Sequence, residues 1–392
     1  MEGWKKDKLT NLISQITTGK LDANAMIPNG KYRFYTCAKD YYYIDNYAFD
    51  DEALLISGNG EYVGYIHYYK GKFNAYQRVY VLTGFKIDVR YLENFLNRYL
   101  PSRINKEVSQ NNIPYIRLST LSKMEINYPE SPTEQASIAN ILSKVDEAIE
   151  SVKKSIEAAE KLKKSLMQNL LTGRMKPDGT LRTEDEFYED EKFGKVPIGW
   201  EVKKLGNLFH IKAGGDLQEN FYSPIYDEQH KCPIFSNTIE NSGLYGYTSN
   251  PRFISKESLT IVGRGVGVGH VEYRKGNYDA IIRLISLIPK QEDAIDCMYV
   301  NYYICQYVHF AIESTGVPQL TCPKVFSTKI IIPKNVFEQS QIAEKIHCID
   351  IDIKIKQNQI ITLERLKKSL MQNLLTGKVR VGEEEKYQNR RV

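Results

Sequence analysis

The sequence is short of almost everything that announces an enzyme. Among its 392 residues there is no Cys-x-x-Cys, no His-Glu-x-x-His, no Gly-x4-Gly-Lys-Ser/Thr, no Gly-x-Ser-x-Gly and no Asn/Asp-Pro-Pro-aromatic segment. The missing cysteine pairs exclude a zinc ribbon and a dithiol redox centre. The six cysteines (Cys37, Cys232, Cys297, Cys305, Cys322 and Cys348) lie far apart. The six histidines have no paired metal-ligand spacing. No apolar run approaches the ~18–20 residues of a membrane span; the longest, such as Ala280–Ile288, are broken early by charge. Residues Met1–Asp7 are charged and hold no apolar leader core, so export is not expected. A large reduced protein of the cytoplasm fits this composition best.

What is present is 42% apolar and 26% charged, with a net charge of +5. That is a globular composition, and the length suggests two or three domains. The basic excess permits nucleic-acid binding without requiring it. Tyrosine is overused, with 28 residues, many of them in Tyr32–Tyr80, including Tyr41-Tyr42-Tyr43. Two readings stand side by side. Tyrosine suits half-buried strands, and it also suits a polar aromatic surface for a large partner.

An internal repeat organises the chain. Leu162–Gly173 and Leu366–Gly377 both read LKKSLMQNLLTG. The same offset aligns Glu134-Gln135 with Glu338-Gln339, Ile138-Ala139 with Ile342-Ala343, Asp146 with Asp350 and Pro129 with Pro333. Fainter matches continue upstream: Gly3-Trp4 with Gly199-Trp200, Glu52–Gly60 with Glu257–Gly265, Lys70-Gly71 with Lys275-Gly276, and Ala75 with Ala280. The organisation is a variable domain at 1–132, a constant segment at 133–173 and a polar connector at 174–195. A second variable domain follows at 196–335, then a second constant segment at 336–378 and a polar tail at 379–392.

The constant segments predict long helices. Over Thr133–Thr172 the apolar residues Ile138, Leu142, Val145, Ile149, Val152, Ile156, Ala159, Leu166 and Leu170 alternate three and four apart, with Lys163 interrupting. The second copy runs Ile342, Ile346, Ile349, Ile353, Ile360, Leu363, Leu370 and Leu374, with Lys356 interrupting. Gly173 and Gly377 are candidate C-terminal caps. At 1.5 Å per residue each helix is about 60 Å long. A seam of that length needs a partner, either another chain or the other copy. Because a whole folded domain joins the two, an antiparallel pair within the chain is the favoured arrangement. It gives a rod with a variable domain near each end and an approximate two-fold relation. The variable domains mix short strands (Ala53–Ile56, Tyr76–Leu82, Leu259–Val262, Ile281–Ile288, Lys329–Ile332) with one helix each (Val89–Leu100, Asp296–Ile312).

Two partial motifs dissolve on inspection. Gly263–Gly269 (GRGVGVG) resembles a phosphate loop, but strand and turn residues follow it where a helix should begin. A flexible loop facing a ligand fits better. Pro177-Asp178 with Asp190-Glu191-Lys192 imitates a nuclease metal site, yet the intervening residues are polar and lack a strand core. A solvated connector is expected there.

The paired Glu-Gln…Ile-Ala…LKKSLMQNLLTG segments carry a resemblance, together with Val196-Pro197-Ile198-Gly199-Trp200-Glu201 and Gly316-Val317-Pro318-Gln319…Ile332-Pro333. The chain resembles the specificity subunit of type I restriction–modification systems along its whole length. One departure is that Asn111–Tyr115 lacks the glutamine found at Gln319. The resemblance implies an α+β fold: two α/β target-recognition domains separated by two long antiparallel coiled-coil helices, with a pseudo-two-fold internal repeat. Each domain would read one half of a bipartite site in double-stranded DNA, and the helices would set the gap. Two methyltransferase subunits would dock on the helices and two motor–nuclease subunits would join for restriction. The chain itself would be non-catalytic and bind no cofactor. S-adenosylmethionine would belong to the methyltransferase, and ATP and magnesium to the motor–nuclease. Two rival readings are a single-chain nuclease or methyltransferase fragment, which needs motifs the sequence lacks, and a coiled-coil scaffold with two protein-binding heads.

Reading DNA requires base-edge contacts supported by phosphate contacts. The expected contact residues are exposed polar and basic loop positions. In the first domain these are Lys20, Arg33, Thr36, Lys39, Asn59 and Arg117. In the second they are Lys212, Ser236, Asn237, Arg264, Gln319 and Lys324. Asn59 and Arg264 stand out because they occupy equivalent loop positions flanked by glycines, which let a backbone approach a phosphate closely. Tyr41–Tyr43 are expected to line the same face. The rod also acts as a ruler: a four-residue insertion after Thr172 should alter the gap by roughly one or two base pairs and leave both half-sites unchanged.

Overall fold

The structure is a computed structural model that describes residues 2–107, 115–265, 267–312 and 318–382. It falls into two compact units, Met1–Lys154 with Gln357–Val392, and Ser155–Lys356. Val266, Asn111–Pro114, Gly316-Val317 and the tail from 383 lie outside the described residues.

The first unit opens with β1 (Trp4–Lys8), α1 (Leu9–Leu12) and β2 (Gln15–Thr18), and continues through β3 (Tyr32–Tyr35), β4 (Tyr42–Ile44), β5 (Phe49–Ser57), β6 (Ile66–Ala75) and β7 (Val79–Thr83). Then come α2 (Val89–Glu107), α3 (Leu118–Ser122), β8 (Glu125–Pro129) and the start of α4 (Pro132–Leu170). Six strands form one sheet in the order β2-β7-β5-β6-β3-β4, with β3 parallel to β6. The run Ala53-Leu54-Leu55-Ile56 is apolar throughout because both faces of β5 are covered. Leu54 and Ile56 pack with Tyr91, Leu92 and Phe95 of α2. Ala53 and Leu55 pack with Tyr35, Phe73 and Val81 on the other side. The expected strand Tyr76–Leu82 begins later, at Val79, because Tyr76–Arg78 form a turn closed by Val79 N–H donating to the Tyr76 carbonyl.

In the second unit a hairpin of β9 (Phe187–Asp190) and β10 (Gly194–Pro197) leads into β11 (Trp200–Lys204), α5 (Leu205–Leu208), β12 (Phe209–Ala213) and β13 (Tyr222–Ser223). These are followed by β14 (Cys232–Phe235), β15 (Leu244–Thr248), β16 (Glu257–Val262), β17 (Val271–Lys275), β18 (Asp279–Ala280) and β19 (Leu284–Pro289). The unit ends with α6 (Cys297–Tyr307), α7 (Cys322–Ser327), β20 (Lys329–Pro333) and the first part of α8 (Val336–Leu374). Two four-stranded sheets result, β12-β19-β16-β17 and β13-β15-β14-β18. The expected strand Ile281–Ile288 begins later, at Leu284, because Ile282 and Arg283 hold φ of 50° and 59° in a turn. The connector is exposed yet ordered: the β9–β10 hairpin buries Val196 beside Trp200.

Each unit contains its own antiparallel helix contact. In the first, Lys367 Nζ meets Asp146 at 2.6 Å, and Met371, Leu374 and Leu375 pack with Ile138 and Leu142. In the second, Lys163 Nζ meets Asp350 at 2.5 Å, and Met167, Leu170 and Leu171 join the cluster that holds Ile342 and Ile346. Lys163, which breaks the apolar seam in the sequence, therefore fills its seam position with an ion pair. Lys367 is the same position of the second copy, and Asp146 and Asp350 match likewise. Gly173 and Gly377 end the helices in the left-handed region, at φ of 67° and 69°. Gly173 is doubly constrained, since a Cβ there would lie 2.2 Å from Pro197 Cγ.

The Glu-Gln dipeptides of the repeat also find their reason. Gln135 donates to the Pro129 carbonyl at 2.7 Å and accepts from Asp88 N–H at 2.8 Å. Gln339 does the same with Pro333 and Asp296, both at 2.8 Å. Each buried glutamine thus ties a strand end to the start of a domain helix. Glu134 is buried against Arg380, and Glu338 receives Arg182 and the Trp200 indole.

Candidate nucleic-acid interface

Loops at equivalent places in the two units gather five of the twelve expected residues, Asn59, Arg117, Asn237, Arg264 and Gln319. In the first unit Asn59 bridges to Tyr115, and in the second Arg264 bridges to Gln319. Both bridges tie the loop after a central strand, β5 or β16, to the segment that follows the domain helix. Asn237 joins the second cluster by donating Nδ2 to the Arg264 carbonyl at 3.0 Å. Gly263–Gly269 runs from β16 into β17, so the glycine-rich loop links two strands of a hairpin and opens no helix. Arg264 is exposed.

Arg117 is exposed beside the first cluster, and its Nε and Nη2 donate to the Tyr115 hydroxyl at 3.1 and 2.6 Å. A cleft of about 250 Å³ adjoins it, lined by Thr18, Gly58, Gln77, Arg78, Tyr80 and Tyr115. Gln77 and Arg78 were not expected contacts. They looked like strand residues, and only the turn before Val79 exposes them.

Arg33 lies in an aromatic setting, its guanidinium 4.2 Å from the Tyr41 ring centre and 4.6 Å from that of Tyr69. Lys39 is exposed, 5.2 Å from the Tyr62 ring. The tyrosines divide between core and surface. Tyr35 is core, whereas Tyr41, Tyr42 and Tyr43 are about two-fifths exposed, at 38%, 38% and 42%. Beneath them His67 Nε2 donates to the Ala38 carbonyl at 2.9 Å, and burial pulls its pKa down against the opposing pull of that carbonyl and Asp40.

Seven residues are less exposed than expected: Arg33, Asn59, Asn237, Gln319 and Lys324 are half-buried, and two are buried; Arg33, Lys212 and Lys324 also lie in β3, β12 and α7 rather than in loops. Thr36 and Ser236 are both buried, at the equivalent place just after β3 and β14. Each is the small polar residue that ends a strand inside the fold, and Ser236 N–H donates to the Gly243 carbonyl at 2.8 Å. Lys20 is exposed beyond β2, Lys212 is exposed on β12 opposite Ser286, and Lys324 is half-buried in α7.

The imitation nuclease motif is explained by turns. Asp178 Oδ1 accepts from the Thr180 N–H and hydroxyl, and Asp190 Oδ1 accepts from the Lys192 and Phe193 amides. These bonds hold both carboxyls below the usual range. Among the described residues no group of three or more His, Cys, Asp or Glu side chains could hold a metal ion. No helix among them is long and apolar enough to cross a membrane.

Residues 1–161 and 197–365 match the family described as the type I restriction modification DNA specificity domain. The chain belongs to that family. The two matched stretches fall one in each half of the repeat, as expected of a specificity-domain pair. Among curated members, the EcoDI specificity subunit of Escherichia coli is 38% identical over 287 residues, which is 69% of this chain. The match spans 62% of that relative's length. A crystal structure of the type I restriction–modification S subunit of Mycoplasma genitalium shares the fold, with a TM-score of 0.66 at 18% identity, covering 95% of this chain and 96% of that one. A second structure, from work on complex assembly and conformational transition of the type I system, covers 96% of this chain and 98% of its own at a TM-score of 0.50 and 13% identity. The α+β fold with two long helices is thus that of solved specificity subunits.

Proposed function

We propose that this chain is the DNA sequence-specificity subunit of a type I restriction–modification complex. It reads a bipartite site in double-stranded DNA, one half with each variable domain, and does no chemistry itself. The observation that carries this reading is the paired loop construction within the family fold. The Asn59–Tyr115 and Arg264–Gln319 bridges repeat in position while their side chains differ. A shared frame with divergent polar residues is what reading two unlike half-sites requires, because the frame sets position and the side chains choose bases.

Lys20, Arg33, Thr36, Lys39, Asn59 and Arg117 then serve the first half-site, and Lys212, Ser236, Asn237, Arg264, Gln319 and Lys324 the second. Thr36 and Ser236, being buried, act by shaping the loops that follow them. Two methyltransferase subunits dock on the helices and supply S-adenosylmethionine; two motor–nuclease subunits bring ATP and magnesium. The protein works in the cytoplasm. The test is methylation mapping of genomic DNA from cells carrying this chain with its methyltransferase. A split adenine-methylated motif with a fixed gap is expected. A continuous motif, or none while the methyltransferase is active with another specificity chain, overturns the reading in favour of a scaffold with protein-binding heads.

A further inference from the structure

The two variable domains share an aromatic platform. In the first, Phe49 stacks on Phe73 with ring centres 5.0 Å apart, and Tyr35 meets Phe73 edge-on at 6.0 Å. In the second, Phe253 stacks on Tyr278 at 5.3 Å, and Phe235 meets Tyr278 at 5.7 Å. The strands agree: β3 runs parallel to β6 with Tyr35 opposite Ala75, and β14 runs parallel to β18 with Phe235 opposite Ala280.

Each platform carries one guanidinium, delivered from a different strand. In the first domain it is Arg33 of β3. The corresponding residue of β14 is Pro233, which has no charge. There the cation comes from β17, where Arg274 lies 3.7 Å over the Phe235 ring. Arg274 in turn occupies the place of Tyr69, next to the matched Lys70-Gly71 and Lys275-Gly276 pairs. Aligned by sequence, the two arginines are unrelated. Placed by fold, each guanidinium meets the aromatic residue that ends its domain's parallel strand, Arg33 at the Tyr35 hydroxyl, 3.4 Å away, and Arg274 over the Phe235 ring.

Among the described residues neither guanidinium makes an ion pair at contact distance, although the Glu272 carboxylate acts on Arg274 from further off and opposes the effect of burial. Arg274 is 6% exposed, and its Nε donates to the Thr260 hydroxyl at 2.9 Å. Burial pulls its pKa down. The Phe235 ring and the Thr260 hydroxyl only partly offset the cost of burying this charge, and an apolar side chain of similar size would pack there without desolvating a cation. Its Nη2 faces the Thr238–Gly243 loop, where a Cβ on Gly243 would lie 3.7 Å away. Asn241 and Ser242 of that loop hold φ of 48° and 50°, a left-handed conformation that asparagine tolerates and serine adopts at a cost.

We propose that Arg274 is the second domain's counterpart of Arg33, and that the two guanidiniums each bind a DNA backbone phosphate, one in each half-site. For Arg274 this follows a shift of the Thr238–Gly243 loop away from it. The inference rests on the DNA-reading function proposed above. Phosphate is favoured over a base edge by the equivalence itself. The two half-sites share the backbone and differ in bases, so a group kept in both domains, while the surrounding side chains diverge, matches the part of DNA that does not change.

The test uses the full chain in complex with its methyltransferase. Binding is measured over a salt series on a duplex with the mapped split motif and on a random duplex of equal length. Arg274→Met and Arg33→Met should each lower the salt slope by about one and weaken both duplexes by a similar factor. Arg274→Lys should keep the slope. Arg274→Met should also melt no lower than the parent, which a packing role for the arginine does not allow. An unchanged slope, a loss at one base position only, or an Arg274→Met chain that melts earlier or fails to fold each overturns the proposal. If the parent complex does not distinguish the split motif from random duplex, it is the function proposed above that falls.

Discussion

Arg264 is the residue through which base reading is most directly tested. It is exposed on a glycine-flanked turn, held through its backbone by Gln319 and Asn237. Arg264→Ala is expected to weaken binding by ~1–3 kcal/mol and to relax the methylated motif at one position, since a bidentate arginine–guanine contact has that worth. Methylation mapping of the variant reads the second effect, and an unaltered motif with unaltered affinity removes Arg264 from the interface. His67 gives a pH dependence. Its folded-state pKa lies below the ordinary 6.5, chiefly through burial. Above that value both folded and unfolded chains hold it neutral. As pH falls through 6.5 the unfolded chain binds the proton first, so stability declines until the folded-state pKa is passed. The urea midpoint of the parent should therefore drop more steeply between about pH 7 and pH 5 than that of His67→Phe. Parallel curves would show that His67 is not held neutral by the fold. At this scale the sequence pointed to Arg33 and Arg264 by type and neighbours. It could not single out Arg274, because nothing local distinguishes a strand arginine over Phe235 from one in water.

Among the elements, the long helices were the most legible. A three-four apolar alternation with glycine at the end can satisfy itself only as a helix with one covered face. The structure adds why the alternation breaks: Lys163 and Lys367 reach Asp350 and Asp146 across the contact. The buried glutamines were visible as repeated letters without a role. Their side chains satisfy a strand carbonyl and a helix-start amide that would otherwise be buried unpaired. Gln339→Leu should cost ~1–3 kcal/mol through those orphaned groups, read as an earlier thermal unfolding of the second domain. A shift no larger than that of a nearby surface variant would argue that water replaces the amide. Strand limits were less legible. Tyr76–Arg78 and Ile281–Arg283 have strand composition and fold as turns, because the chain must reverse there between paired strands, and composition does not record pairing.

For the whole molecule, each unit takes part of both helices, so neither half of the sequence completes a unit alone. Met371, Leu374 and Leu375 are core residues of the first unit although they lie at the far end of the chain. If the helices set the gap between half-sites, a four-residue insertion after Thr172 should change the spacer of the methylated motif by roughly one or two base pairs and keep both halves. An unchanged spacer would show that the gap is set elsewhere.

The sequence by itself determined the duplication, the two helices, the absence of familiar catalytic motifs and the family. These are properties of spacing and identity along the chain, and local periodicity is enough to express them. Only the tertiary structure decided which polar residues meet. It brought Asn237, Arg264 and Gln319 together, buried Thr36 and Ser236, and placed Arg33 and Arg274, from different strands, against the aromatic residues that end β3 and β14. Those outcomes depend on strand pairing between distant segments, a long-range choice that the identity of any one residue does not encode.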